Sequence, residues 1–222
     1  ELNLVDAPKR TGLAIVGFDS VAAALDALAA ILATKPAAVE LVDDTIVDLA
    51  RKNTEYAQYV SLMPQPTSGK PLGAVLYVEY FGFGDGEAAT RSEIERKFAE
   101  LGSTLPNAPT QCHLDPAAMR KAWTLRRACE PLLHGIPGKR KPIGFVEDTA
   151  VDPSRLPGFI REFKEILAKH GTFAAFFAHA SVGCLHIRPL LSLKVAEDRE
   201  RMKEISVEIA DLVVRHGGAL SG

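Results

Sequence analysis

The stretch Ala74-Val75-Leu76-Tyr77-Val78-Glu79-Tyr80-Phe81, closed by Gly82-Phe83-Gly84-Asp85-Gly86, decides the reading of the fold. Its β-branched and aromatic residues, ended by glycines, predict a strand and a turn, and Glu87 to Leu101 predicts the helix that follows. Working upstream, Leu13 to Phe18 is a second short apolar run. Asp19 or Ser20 then offers a cap for an Ala/Leu-rich helix from Val21 to Ala33, which Pro36 stops. Ala38 to Val42 reads as a strand, Asp43-Asp44-Thr45 as a helix start, and the Pro-rich segment Ser61 to Leu72 as a loop.

Downstream the same grammar returns after a connector, Leu105 to Lys141, that holds a helix around Ala117 to Leu133. Ile143 to Glu147 reads as a strand and Asp148 to Ser154 as a turn. Leu156 to His170 is an amphipathic helix with Phe159, Ile160, Phe163, Ile166 and Leu167 on one stripe. Strands are expected from Phe173 to Ala178 and from Cys184 to Leu191, and a last helix from Val195 to His216. Two successive units of strand, helix, strand, strand and helix predict an α+β fold of duplicated ferredoxin-like units, an antiparallel sheet with helices on one face. Periodicity leaves open whether the units share one sheet.

The chain has 222 residues, 47% of them hydrophobic, with 26 Lys+Arg against 28 Asp+Glu. A near-balanced charge gives no basic footprint, so nucleic acid is not an expected partner. The longest apolar run, Val21 to Thr34, is interrupted by Asp26 and falls short of the roughly 20 residues of a membrane span. Cys112, Cys129 and Cys184 are widely spaced without a CxxC, which indicates no disulfide framework and makes a reducing, cytoplasmic compartment the default.

Chemistry concentrates in Phe176-Phe177-Ala178-His179-Ala180-Ser181-Val182-Gly183-Cys184-Leu185-His186-Ile187-Arg188-Pro189. Seven residues apart on one strand, His179 and His186 would point to opposite faces. A turn at Ser181-Val182-Gly183 removes that obstacle and lets both imidazoles reach one metal, against the plainer reading of two histidines hydrogen-bonded at strand ends. Arg126, in Trp123-Thr124-Leu125-Arg126-Arg127, suits a bidentate clamp on a carboxylate, against an exposed basic helix with Trp123 inward. Gly82 to Gly86 lacks the spacing of a phosphate loop and reads as a turn. Gly135 to Lys141 reads as a solvated basic loop rather than one that meets an anionic substrate or cofactor, Glu147-Asp148 as turn-capping carboxylates more than catalytic ones, and Cys112 and Cys129 as structural or incidental.

Taken together, Trp123 to Arg126, Phe145 to Val151, His179-x6-His186 and the ending Gly217-Gly218-Ala219-Leu220-Ser221-Gly222 resemble the C-terminal substrate (cap) domain of the FAD-linked oxidases and dehydrogenases of D-2-hydroxy acids. Glycolate oxidase subunits, D-lactate dehydrogenases and D-2-hydroxyglutarate dehydrogenases belong to that family. The wording Val182 to Pro189 is most similar to a branch with a following iron-sulfur domain. The resemblance covers nearly the whole chain and is specific through the combination of motifs.

It implies Arg126 at the substrate carboxylate and His179 and His186 on a divalent metal, with zinc, manganese and iron as the candidates. FAD would be held mainly by a preceding domain, to which residues 1–10 contribute a last strand and linker, leaving 11–222 as the substrate domain. The third metal ligand would come from a Glu-His-Gly after Gly222, so this stretch alone is expected to be inactive. Partners implied are a small 2-hydroxy acid, the flavin domain and an electron acceptor, in the cytoplasm or peripherally at the inner membrane. Where some relatives carry a substrate lysine this chain has Val146, and where others have Gly-Asp-Gly-Asn it has Ser181-Val182-Gly183-Cys184. Arg188 stands where those relatives have Asn, which suggests room for a second substrate carboxylate. Two other readings are a non-catalytic ferredoxin-like module that binds a ligand or partner, and a zinc hydrolase, the latter without an HExxH helix.

Overall fold

A computed structural model describes residues 6–67 and 69–220; the strand expected at Glu1 to Leu4 and the closing Ser221-Gly222 lie outside the described residues. The first unit runs β1 (Arg10–Phe18), α1 (Val21–Asp26), α2 (Leu28–Ala33), β2 (Ala38–Asp43), α3 (Asp44–Lys52), β3 (Ala74–Gly82), α4 (Glu87–Thr104) and β4 (Thr110–His113). A connector follows with α5 (Pro116–Arg127), α6 (Cys129–Leu133) and β5 (Lys141–Pro142). The second unit is β6 (Thr149–Ala150), α7 (Leu156–Lys169), β7 (Ala174–His179), β8 (Cys184–Leu191), α8 (Ala196–Arg215) and β9 (Ala219–Leu220).

Among the described residues the two units share one nine-stranded sheet in the order β4-β1-β3-β2-β7-β8-β6-β9, with β5 paired to β8. Every pairing is antiparallel. Numbering each unit's strands from one, the order is 4-1-3-2 followed by its mirror, 2-3-1-4. The ferredoxin-like duplication is therefore real, and its halves meet where β2 pairs β7 through Glu40–His179, Leu41–Ala178 and Val42–Phe177.

Side-chain alternation divides the sheet into two apolar faces. Leu76, Val78, Leu41, Phe176, Ala178 and Ile187 point to the face covered by α1, α2, α4, α7 and α8. Val75, Tyr77, Val42 and Phe177 point the other way, where α3, α5 and α6 form a second core. The long helices α4, α7 and α8 thus pack on one face as expected, whereas α3 of the first unit joins the connector helices in covering part of the opposite face.

Local chemistry explains most element ends. The Ser20 hydroxyl accepts from the Ala23 amide at 3.1 Å and starts α1, and Asp43 does the same for α3 through the Ile46 amide at 3.1 Å. The expected helix from Ala117 to Leu133 is split at Ala128; Pro131 sits in the first turn of α6, where its missing amide is tolerated. Val21 to Ala33 is likewise split, at Ala27. The strand expected at Ile143 to Glu147 is not formed: ladder residues are Lys141–Pro142 and Thr149–Ala150, with bends between them. Gly144 interrupts that run, and Asp148 takes a left-handed backbone at φ 52.

Arg140 ties the basic loop to α8, its guanidinium reaching the buried Asp198 at 2.9 and 2.7 Å. Among the described residues, no helix is long and apolar enough to cross a membrane.

Candidate functional site

The turn between β7 and β8 does what the histidine spacing requires. Ala180 to Val182 makes one short 3-10 turn, and Gly183 closes it at φ 74, a left-handed conformation that glycine adopts without a Cβ clash. The hairpin then pairs His179 with Cys184 and Phe177 with His186. His179 and His186 become diagonal neighbours on one face, ring centroids 5.1 Å apart and edge to face. Behind them, the Phe177 ring stacks on His186 at 4.9 Å.

The same face gathers residues from both units. Glu40, on β2, directs its carboxylate to His179 Nδ1 at 2.9 and 2.8 Å. Its Oε2 also accepts from Arg126 Nη2 at 2.6 Å, and that guanidinium donates to the Ala178 carbonyl at 3.2 Å. Arg126 is only 8% exposed, so it is not part of a solvated basic helix. Trp123 packs one turn earlier against Tyr77, ring centroids 5.6 Å apart, as expected of an inward tryptophan.

His186 faces acidic groups. Its Nδ1 lies 3.0 Å from Asp148 Oδ1 and 3.2 Å from Glu147 Oε1. Burial, reinforced by the neighbouring His179, holds its pKa below the usual histidine range and favours the neutral ring, whose lone pair is what a metal takes. Glu147 and Asp148 therefore do more than end a turn. Arg188 is also buried at 8% and is gripped by Glu130, 2.8 Å from both Nε and Nη2, and by Glu147. Glu79 borders the group; burial raises its pKa, against a hydrogen bond from Trp123.

Four residues singled out from sequence, Arg126, His179, His186 and Arg188, thus come to one end of one sheet face. Glu40 and Glu130 were not anticipated. Glu40 had a signal: it is the charged residue in the apolar strand Ala38-Val39-Glu40-Leu41-Val42. Glu130 had none, because it lies in the connector and meets Arg188 58 residues away.

Other sequence candidates settle into structural roles. In the glycine-rich turn the Phe83 and Gly84 amides donate to Glu93 Oε2 at 2.8 and 3.0 Å, so these donors are turned to a side chain of α4. Cys129 is buried, and its thiol is pushed up to about 12 by desolvation against the pull of Arg126, which leaves it inert. Cys184 is half-buried on the site face beside His186 and Asp148.

The donor set suits a divalent cation: adjacent imidazoles, two carboxylates and a thiol, with Glu40 behind His179 as the outer carboxylate that metal-bound histidines commonly have.

Comparison with known proteins agrees with this architecture. The sequence profile of the family described as FAD linked oxidases, C-terminal domain, matches residues 7–222. The chain is 30% identical over 222 residues to the D-2-hydroxyglutarate dehydrogenase of Pseudomonas putida, covering 100% of this chain and 22% of that protein. It is 29% identical over 226 residues to the D-2-hydroxyglutarate dehydrogenase of Escherichia coli, with the same coverage of 100% and 22%. The chain therefore spans about a fifth of the length of these relatives. Among solved structures, alkyldihydroxyacetonephosphate synthase superposes with a TM-score of 0.62 at 16% identity, over 96% of this chain and 41% of that one. Substrate-bound p-cresol methylhydroxylase gives a TM-score of 0.58 at 16% identity, over 96% and 45%. Profile, relatives and shared fold lead to one conclusion: the chain belongs to the family of C-terminal domains of FAD-linked oxidases.

Proposed function

We propose that this chain is the substrate-side domain of a flavin-dependent enzyme that oxidises a D-2-hydroxy acid to the 2-oxo acid. The observation that carries the reading is the meeting of Arg126, His179, His186 and Arg188 on one face at the junction of the two units. The relatives named as D-2-hydroxyglutarate dehydrogenases support 2-hydroxyglutarate over lactate or glycolate as the substrate, and a second buried arginine suits its second carboxylate.

In this reading Arg126 binds the C1 carboxylate, with Glu40 holding the guanidinium in place. His179 and His186 hold a divalent cation beside the 2-hydroxyl, and Phe177 keeps water from the back of His186. When bound, the cation would lower the pKa of the hydroxyl and FAD would accept the hydride from C2. FAD is assigned to a domain outside these residues. The similarity of Val182 to Pro189 to the iron-sulfur branch supports electron transfer onward through such a cluster, in a cytoplasmic or peripherally bound protein.

The full-length protein, reconstituted with FAD and zinc or manganese, provides the test. Under anaerobic conditions D-2-hydroxyglutarate should bleach the flavin faster than its L-enantiomer, D-lactate or glycolate, and Arg126→Lys should slow bleaching at limiting substrate. A protein that binds no flavin, or whose flavin no D-2-hydroxy acid reduces, would overturn the reading in favour of a ligand-binding module. Absorption beyond the flavin bands, lost on reduction by dithionite, would test the iron-sulfur assignment.

A further inference from the structure

The site face carries a thiol that neither the two histidines nor the arginines require. Cys184 precedes His186 by two residues on β8, so both side chains leave the sheet on the same side. Asp148 immediately precedes β6, whose Thr149 and Ala150 pair with Leu185 and Cys184. Its left-handed backbone, φ 52, is one that Asp and Asn adopt more readily than most residues, and it brings the carboxylate to 3.0 Å from His186 Nδ1. One donor atom from each of Asp148, Cys184 and His186 lies within 4.8 Å of the other two.

We propose that Asp148, Cys184 and His186 form a metal-binding set in which Cys184 supplies a thiolate, so that the site takes a borderline-soft divalent cation, zinc, iron(II) or cobalt(II), in preference to magnesium or manganese. The inference rests on the metal reading above for His186 and deepens it by naming the sulfur and the class of cation.

Bond lengths make the set reachable. Metal–sulfur, metal–nitrogen and metal–oxygen distances near 2.0–2.3 Å place tetrahedral donor atoms roughly 3.3–3.8 Å apart. No donor pair is more than 4.8 Å apart, and Asp148 Oδ1 and His186 Nδ1 stand at 3.0 Å, so reaching that spacing asks each pair to open or close by about an ångström at most, within side-chain torsion. Thiolate and carboxylate together match the charge of a divalent ion. As the metal–sulfur bond forms, the thiol proton is released to solvent. Sulfur is also what separates the cations: magnesium and manganese favour oxygen donors, whereas zinc accepts sulfur, nitrogen and oxygen.

Cobalt(II) titration of the purified protein tests the set, because a cobalt–thiolate bond adds a near-ultraviolet charge-transfer absorption. The expected result is that band at saturation, its loss in Cys184→Ser with at least tenfold weaker affinity, and weaker affinity with the band retained in Asp148→Asn. Zinc should displace the cobalt, and magnesium at the same concentration should not. Cobalt binding without the band, unchanged in Cys184→Ser but weakened in His179→Ala and His186→Ala, would overturn the proposal and leave the two-histidine reading standing. Absence of cobalt binding would overturn both. A measurement that needs no variant is alkylation followed by peptide mass: zinc should slow modification of Cys184 and leave the exposed Cys112 unaffected, and equal rates at Cys184 with and without zinc would count against the set.

Discussion

Glu40 and His179 face each other across the β2–β7 ladder that joins the two halves of the sheet, with Nδ1 2.8 Å from one carboxylate oxygen and 2.9 Å from the other. With Nδ1–H donated to Glu40, the lone pair of His179 is left on Nε2. The same carboxylate neutralises Arg126, and the two side chains retain only 12% and 9% exposure. Removing one member of such a buried pair leaves the other charge without compensation, at a cost of about 3–5 kcal/mol. Glu40→Ala should therefore shift urea unfolding by about that amount. Glu40→Gln should fold but bind metal 10- to 100-fold more weakly, as loss of a ligand-orienting carboxylate does. Unchanged metal affinity in a folded Glu40→Gln protein would show that Glu40 serves Arg126 alone.

Arg188 offers a test of substrate choice. Its guanidinium is engaged by Glu130 and Glu147, so the second carboxylate of the proposed substrate would have to compete with, or join, these two. Arg188→Ala in the full-length enzyme should raise KM for D-2-hydroxyglutarate at least tenfold and leave KM for D-lactate within about twofold. Equal changes for both substrates would assign Arg188 to holding Glu130 and Glu147 in place.

Asp43 sets a pH dependence of stability. Its carboxylate is 2% exposed and accepts from the Phe176 amide at 2.7 Å. Burial raises its pKa to about 7 from 3.8, outweighing the backbone hydrogen bonds to Phe176 and Ile46 that act in the opposite direction. Between those values the folded state holds a proton that the unfolded state has lost, so this group's contribution falls as pH rises from about 4 to about 7 and levels off above. The loss should amount to a few kcal/mol at most. Urea midpoints at pH 5 and 7.5 should differ in this direction more for the wild type than for Asp43→Asn, and parallel profiles would count against the raised pKa.

Gly183 holds the hairpin that brings the histidines together. A Cβ there would run into the Val151 carbonyl oxygen, in addition to the left-handed strain at φ +74. Gly171 has a similar φ of +62 with nothing near its missing Cβ. Gly171→Ala should cost about 1 kcal/mol by backbone strain alone, and Gly183→Ala at least twice that. Comparison of thermal midpoints checks the difference, and equal costs would mean that the β7–β8 turn relaxes around the added methyl.

What could be read from the sequence depended on how local the determinant was. The long strands, the amphipathic α7 and the return at Gly183 each carry their signal within a dozen residues, and so the α+β duplication and the same-face histidines were legible. The short strands β4, β6 and β9 were not, because two to four residues show no periodicity and their pairing is decided by neighbours already in place. For the same reason Ile143 to Glu147 looked like a strand while the chain bends there between two short ladders with β8. At the site, the family resemblance singled out Arg126, His179 and His186, which residue type and spacing alone left open, but Glu40 meets His179 139 positions away, through a seam that no window of sequence contains.

The mirrored strand order has a consequence for how this domain can be recombined. Each unit contributes its second strand to the seam, and each contact of Glu40, with His179 and through Arg126 with Ala178, links one side of the seam to the other or to the connector. A chimera that takes its first unit from one relative and its second from another would inherit complete ferredoxin-like units, yet a site assembled from unmatched halves. Stability and chemistry should therefore separate in such hybrids. Function should return when the residue at position 40 and the hairpin from Phe177 to Arg188 are transplanted together.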